Sequence, residues 1–229
     1  MTMTRPEVLV AHQPAYLPWP GYLSRLLDVD TLVLLDHVQF AERGRQHRNL
    51  IRGSGGVPQR LTVPVLHRFG QRICEVRVAG TAWAAAHWRA LTCAYGKAAY
   101  FADYPLRAVY EHHWERLTEV NQAVLDVLLD GFGIKVHCVR SSSIAPEGSG
   151  THMLADLARR LGRNVLRVGT GATRYLDHAV LAEAGIAVEV ATYDPPDGLA
   201  VSAVDLLMRH GPAARTILEQ HGRVTAVTA

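Results

Sequence analysis

Apolar residues along this chain fall in short bursts, each closed by polar or turn-forming residues. Val8-Leu9-Val10-Ala11 runs into His12-Gln13-Pro14, and Thr31 to Leu35 runs into Asp36-His37, with Gln39 just beyond. Short apolar runs bounded by turn signals predict buried parallel strands. Between these two, Pro18 and Pro20 bracket Trp19, and Tyr22, Leu23, Leu26 and Leu27 recur at helical spacing. A helix with that stripe packs on a sheet. Residues 8–40 therefore predict a βαβ unit. Its polar residues stand at the carboxyl ends of both strands, where open α/β sheets place their ligands.

The middle of the chain has a different texture. Residues 41–59 are polar and Arg-rich, and Gly53, Gly55 and Gly56 lie between Asn49-Leu50-Ile51 and Arg60-Leu61-Thr62-Val63-Pro64-Val65. That pattern predicts a hairpin, and the alternation from Ile73 to Val78 a third antiparallel strand. Helical patterns cover 83–95 and 106–132, and Gly133 ends the second. The rest predicts strands at 134–139, 165–168 and 186–191, and helices at 151–161, near 178–184 and at 201–209, with a partly helical tail. The right-handed crossover rule closes about five such parallel strands into a doubly wound sheet. The expected class is α/β: a mostly parallel, Rossmann-like sheet with a β-hairpin insert and a helical segment. Residues 1–229 are expected to be one domain, with the insert at about 41–79 and the helical segment at about 82–132.

Composition narrows the setting. The 229 residues are 48% hydrophobic and 20% charged, with a formal net charge of +3, ordinary values for a globule with a core. No apolar run approaches a membrane span. The amino terminus, MTMTRPE, lacks an apolar signal region, so a cytoplasmic location is expected. Cys74, Cys93 and Cys138 are widely spaced and predict reduced thiols without metal spacing. The positive charge is concentrated: Arg43, Arg45, Arg48, Arg52, Arg60, Arg68 and Arg72 are opposed by Glu42 alone.

Two groups of residues carry candidate chemistry. If the first two strands are neighbours, His12, Asp36, His37 and Gln39 share one pocket. An imidazole beside a carboxylate is a general base; the structural alternative is that His12 and Asp36 cap backbone groups. Arg43, Arg45, Gln46, His47, Arg48 and Asn49 form a donor cluster suited to phosphate or carboxylate, or else a solvated loop. Gly148 to Thr151 and Gly169 to Gly171 are small-residue loops leading into helices, which favour anions or simply turn the chain. Asp177 near Tyr175 suits a first helical turn. His112-His113 do not share a helix face, so no metal site is expected. No nucleic-acid-binding pattern is present.

The motifs together resemble the WbqC-like family. They comprise His12-Gln13-Pro14-x-Tyr16-x-Pro18-Trp19-x-Gly21-Tyr22, Asp36-x-Val38-Gln39-Phe40, Gln46-x-Arg48-Asn49-x-Ile51, Leu61-Thr62-Val63-Pro64-Val65, His87-Trp88, Tyr95-x-Lys97-Ala98-x-Tyr100-Phe101, Gly169-x-Gly171, Tyr175-Leu176-Asp177 and Gly185-Ile186. The family is associated with surface-polysaccharide and natural-product clusters. The resemblance implies a transferase that places an acyl or aminoacyl group on an amino sugar or other amine. The donor it implies is an acyl thioester, on a carrier protein or CoA, or a nucleotide-linked group. His12 and Asp36 would then be catalytic. Gln13, Tyr16, Gln39, Arg43, Gln46, Arg48, Asn49, Gly169, Gly171, Tyr175 and Asp177 would bind substrate. The segment 193–198 is shorter here than in the family, implying a different substrate side of the pocket. The His after the first strand is also similar to the nucleotidyltransferase-like fold, although the second half of its HIGH motif is absent. The expectations from another class are a non-catalytic binder of a nucleotide sugar or carrier protein, and, more weakly, nucleotidyl transfer.

Overall fold

The computed structural model of the protein describes residues 6–227. β1 (Val8–His12) leads through the Pro-rich turn into α1 (Pro20–Ser24) and β2 (Thr31–Leu34). The insert follows: β3 (Arg48–Arg52) and β4 (Pro58–Thr62) form a hairpin, and β5 (Val65–Leu66) pairs with β6 (Arg77–Val78). Three helices come next, α2 (Ala82–Tyr95), α3 (Leu106–Glu111) and α4 (Leu117–Gly131). The chain then returns to the sheet with β7 (His137–Arg140), α5 (Ser141–Ile144), α6 (Gly150–Arg160) and β8 (Val165–Gly169). It finishes with α7 (His178–Glu183), β9 (Ala187–Tyr193), α8 (Val204–His210), α9 (Ala214–His221) and β10 (Gly222–Val227).

Six strands form one sheet in the order β10-β9-β8-β1-β2-β7. All neighbours are parallel except β9 and β10, which run antiparallel. Alternation along β1 serves two cores. Val8 and Val10 join the large cluster with α1, α2, α4 and α8 residues, while Leu9 joins Met153, Leu157 and Leu181 on the other face. Helices thus cover both faces, as a parallel sheet requires. From β1 the chain builds outward to β2 and β7, then crosses back and builds the other way through β8 and β9. β1 and β8 are therefore neighbours whose following connections leave in opposite directions. A crevice opens at that point, beyond their carboxyl ends.

Two sequence expectations need correction. The predicted helix at 106–132 is two helices. His112 turns extended, the Trp114 indole donates to the Val109 carbonyl (2.7 Å), and Val78 and Glu115 pair through their backbones. The segment is recruited by the insert, which breaks the helix. The strand expected at 73–78 opens as a 3₁₀ turn closed by Arg72 and Glu75, and only Arg77–Val78 pairs, with β5. Ser141–Ser143 lie in the short helix α5. The partly helical tail is present as α9, and β10 follows it as a further strand.

Two internal ties hold the crevice in shape. Arg167 on β8 is 7% exposed. It pairs with Glu189 on β9 (2.7 Å) and donates to the Leu27 and Arg25 carbonyls, 2.5 and 3.3 Å away, just beyond α1. Leu17, fully buried, has the left-handed φ of +46°, an uncommon conformation for a leucine. Its carbonyl accepts from Asn49 Nδ2 at 2.6 Å, so the insert fixes the turn before α1. Arg167→Met should cost about 3 kcal/mol, because Glu189 loses its partner and two carbonyls lose a charged donor. Urea denaturation of the two proteins measures this; an unchanged midpoint would show that the clamp contributes nothing.

Candidate functional site

The crevice is a cavity of about 750 Å³, within the usual size for a small-molecule site. Its floor is apolar: Leu166 and Val168 of β8, Ala191 of β9, Met153 and Leu154 of α6, and Leu35 after β2. Trp19, Gly21, Arg25, Tyr193, Gly169, Thr170, Gly171 and Tyr175 also line the cavity. Pro195 and Leu199 line it as well, in a segment tied to the insert by an ion pair between Arg52 and Asp197. Arg52 is itself anchored on buried Asp205 (Nε–Oδ1 3.0 Å).

The polar side chains of this cavity are one-sided. Arg25, Arg45 and His12 line it, and no Asp or Glu does among the described residues. Arg25 leaves α1 toward β8, where a Cβ on residue 169 would collide with its guanidinium. Gly169 is thus required for that approach. Among the described residues the Arg25 side chain has no ion pair or hydrogen bond, and its Nε is sealed from solvent without an acceptor. Burial pulls its pKa below the usual Arg range, yet a guanidinium stays charged. Arg45 lies over the Trp19 ring, 4.5 Å from its centroid.

His12 ends β1 with Nδ1 2.7 Å from the Gln13 carbonyl. A carbonyl only accepts, so Nδ1 carries the proton and Nε2 is left with its lone pair. The ring packs edge-on against Trp19 and Tyr22, with centroids 5.6 and 4.8 Å away. Burial first, then the Arg25 and Arg45 charges, lower its pKa to about 4. The imidazole is neutral at pH 7.

Other expected site residues occupy different ground. Asp36 is not the partner of His12. It is buried, and its carboxylate accepts from Ser141 Oγ (3.1 Å), Ser142 N (2.8 Å) and Ser142 Oγ (2.8 Å). It caps the start of α5, which satisfies its charge there. Tyr16 is fully buried away from the cavity, its hydroxyl 2.8 Å from both His87 Nδ1 and Tyr110 Oη. Gln13 accepts from Gln46 (2.7 Å), whose own Oε1 accepts from Ala41 N. Asn49 holds Leu17, as described above. Gln39 is exposed and bridges to Arg72; Arg43 is exposed, and Arg48 is half-buried on β3. None of these lines the cavity. Gly169, Gly171 and Tyr175 do line it, Tyr175 at 84% exposure. Asp177 caps α7, accepting from Ala179 N (3.0 Å) and Val180 N (3.4 Å).

Sequence reasoning missed Arg25, Trp19, Thr170, Thr192 and Tyr193 as lining residues. Arg25 had one signal: it interrupts the apolar stripe of Tyr22, Leu23, Leu26 and Leu27 in the first βα connection.

Comparison with known proteins adds the following. The pattern defining the WbqC-like protein family matches residues 13–217. The chain is 33% identical over 216 residues to the uncharacterized protein Rv1507c of Mycobacterium tuberculosis (strain ATCC 25618 / H37Rv), covering 88% of this chain and 93% of that one. No solved structure matches the chain.

His87 is also lowered to about 4, chiefly by burial. Below the ordinary value of 6.5 the unfolded chain takes up protons that the folded chain refuses at both histidines. Stability is therefore full above about pH 6.5 and falls as pH drops toward 4. Urea unfolding between about pH 6.5 and 5, where most carboxylates stay ionised, should show an uptake approaching two protons from His12 and His87, with a further share from His47, whose pKa burial also lowers. His12→Asn should remove about one of them, and a flat wild-type profile would refute the assignment.

Proposed function

Since this chain belongs to the WbqC-like protein family, we propose that it is a transferase acting at the β1/β8 crevice and forming an amide on an amine, such as an amino sugar. The observation that carries this reading is His12 Nε2, a fixed lone pair at a cavity lined by two cations. The neutral amine would attack the acyl carbonyl of a thioester or of a nucleotide-linked acyl donor. The new C–N bond would form as the C–S or C–O bond breaks. The amine proton would pass to His12 Nε2, and from there to the leaving thiolate, or to water when the leaving group is a stable anion. The residues used in this step are His12 for the proton and the Arg25–Arg45 side for the charge of donor and developing oxyanion. His12 is a weak base, chiefly through burial. An anionic donor beside the two arginines would offset the smaller part of the shift that their charges cause.

On this reading residues 1–229 act as one domain, related in sheet and in His placement to nucleotidyltransferase-like folds. The setting is cytoplasmic polysaccharide or natural-product biosynthesis. No helix among the described residues is long and apolar enough to cross a membrane. A carrier protein would present the donor when it is a protein-bound thioester. One observation favours a second reading, a non-catalytic binder of nucleotide sugars or carrier proteins: a histidine held near 4 makes a good acceptor in a binding site without ever transferring a proton.

The test is product mass after incubation with pools of acyl thioesters, nucleotide-linked donors and amines. An amide product whose formation drops roughly 100-fold or more in His12→Ala supports the transferase. Asp36→Ala should lower stability and leave the turnover of the folded fraction unchanged. Tight binding with no product favours the second reading, and full activity in His12→Ala removes the histidine from the chemistry.

A further inference from the structure

We propose that the cavity recognises its ligand through a phosphate group held between Arg25 and Arg45. This deepens the reading above by naming what the donor must carry, and it rests on the same cavity. The expected anion clamp of Gln46, Arg48 and Asn49 is not available for that task. Gln46 and Asn49 spend their amides on Gln13 and on the Leu17 carbonyl, and none of the three lines the cavity.

Arg25 and Arg45 are differently placed. They approach one cavity from two segments, Arg25 from the end of α1 and Arg45 from the insert. Neither is neutralised by a carboxylate among the described residues, and no carboxylate lines the cavity with them. A half-buried guanidinium without an acceptor is costly. At Arg25 only Nε is sealed without an acceptor, and Arg45 is exposed, so the terminal nitrogens of both are open to an anion that enters the cavity. The magnitude favours phosphate. A terminal phosphate carries nearly two negative charges at pH 7 and three acceptor oxygens, enough for two guanidiniums. A single carboxylate can bridge two arginines, as Asp156 and Asp205 do here, but its one negative charge balances only one of them. The Gly169 backbone leaves room for the approach, since any side chain there would displace Arg25. The positive field is already felt by a neighbour, His12, which both arginines push down. The rest of the ligand has an apolar bed in Met153, Leu166 and Val168, which suits a flat ring or an alkyl arm.

Two sources of such a phosphate are distinguishable: a nucleotide and a pantetheine phosphate. Calorimetric titration of the full chain with ADP, with 4′-phosphopantetheine, with inorganic phosphate and with succinate separates them. We expect one of the two organic phosphates to bind, inorganic phosphate to compete with it, and succinate not to. Arg25→Met and Arg45→Met should each weaken that binding by about 10- to 100-fold, the worth of one charge-assisted contact. Affinity should also fall with added salt. Arg25→Met should melt at or above the wild-type temperature, since it removes an uncompensated cation; a residue kept for structure alone would lower it. Should Arg25→Met fail to fold, exposed Arg45 carries the affinity test. Absence of binding by either organic phosphate, binding unchanged in both variants, or binding of succinate alone would each overturn the proposal. Transfer activity with a phosphate-free donor would overturn it while leaving the transferase standing. Phosphate binding without any transfer would do the reverse.

Discussion

The Arg167 guanidinium is the tie on which the candidate site depends. It lies almost wholly buried on β8, paired with Glu189 of the next strand, and it grips the carbonyls of Arg25 and Leu27. One cation thus joins two strands and the end of the first helix. The helix carries Arg25 and follows the turn that carries Trp19; the strand carries Gly169. Without a fixed angle between helix and strand, the Arg25 head would have no defined position against the Gly169 backbone. A buried arginine is well suited to this, because its five donors can serve a carboxylate and two carbonyls at once.

The sheet supplies the opening and the side chains supply its sign. A switch in strand order leaves a crevice between β1 and β8 whatever the sequence. This chain lines the crevice with cations and places its carboxylates elsewhere. Asp36 faces the start of α5, Asp177 the start of α7, Asp205 the hairpin arginine Arg52. Each is satisfied locally and does not offset the field at His12. The separation of signs gives the cavity a preference for anions before any specific contact is made.

The strands around the site were legible because each is a short apolar burst ended by a polar residue, and burial on both faces demands that pattern. β10 was not, since five of its six residues are exposed and nothing in GRVTAV separates an edge strand from a tail. His12, Gly169, Gly171 and Tyr175 were legible as ends of strands and turns. Asp36 was legible as a buried carboxylate at a strand end, but sequence does not say which neighbour claims it, and two serines did. Tyr16, Gln46 and Asn49 stood in motifs that read as binding residues. In the fold their hydrogen bonds hold the loops behind the cavity. Arg25 was hidden for the opposite reason. Its meaning comes from Gly169, far along the chain, and only the sheet order brings them together.

One part of the cavity lining is held by the insert. The segment with Pro195 and Leu199 is moored through Asp197 to Arg52 on the insert hairpin, and Arg45 belongs to the same insert, while His12 ends a strand of the sheet. Part of the lining and one of its two cations therefore belong to the insert, whereas His12 and Arg25 belong to the first βα unit. A change in the insert moves Arg45 and the 194–199 segment together, so one element sets part of the cavity's shape and half of its charge.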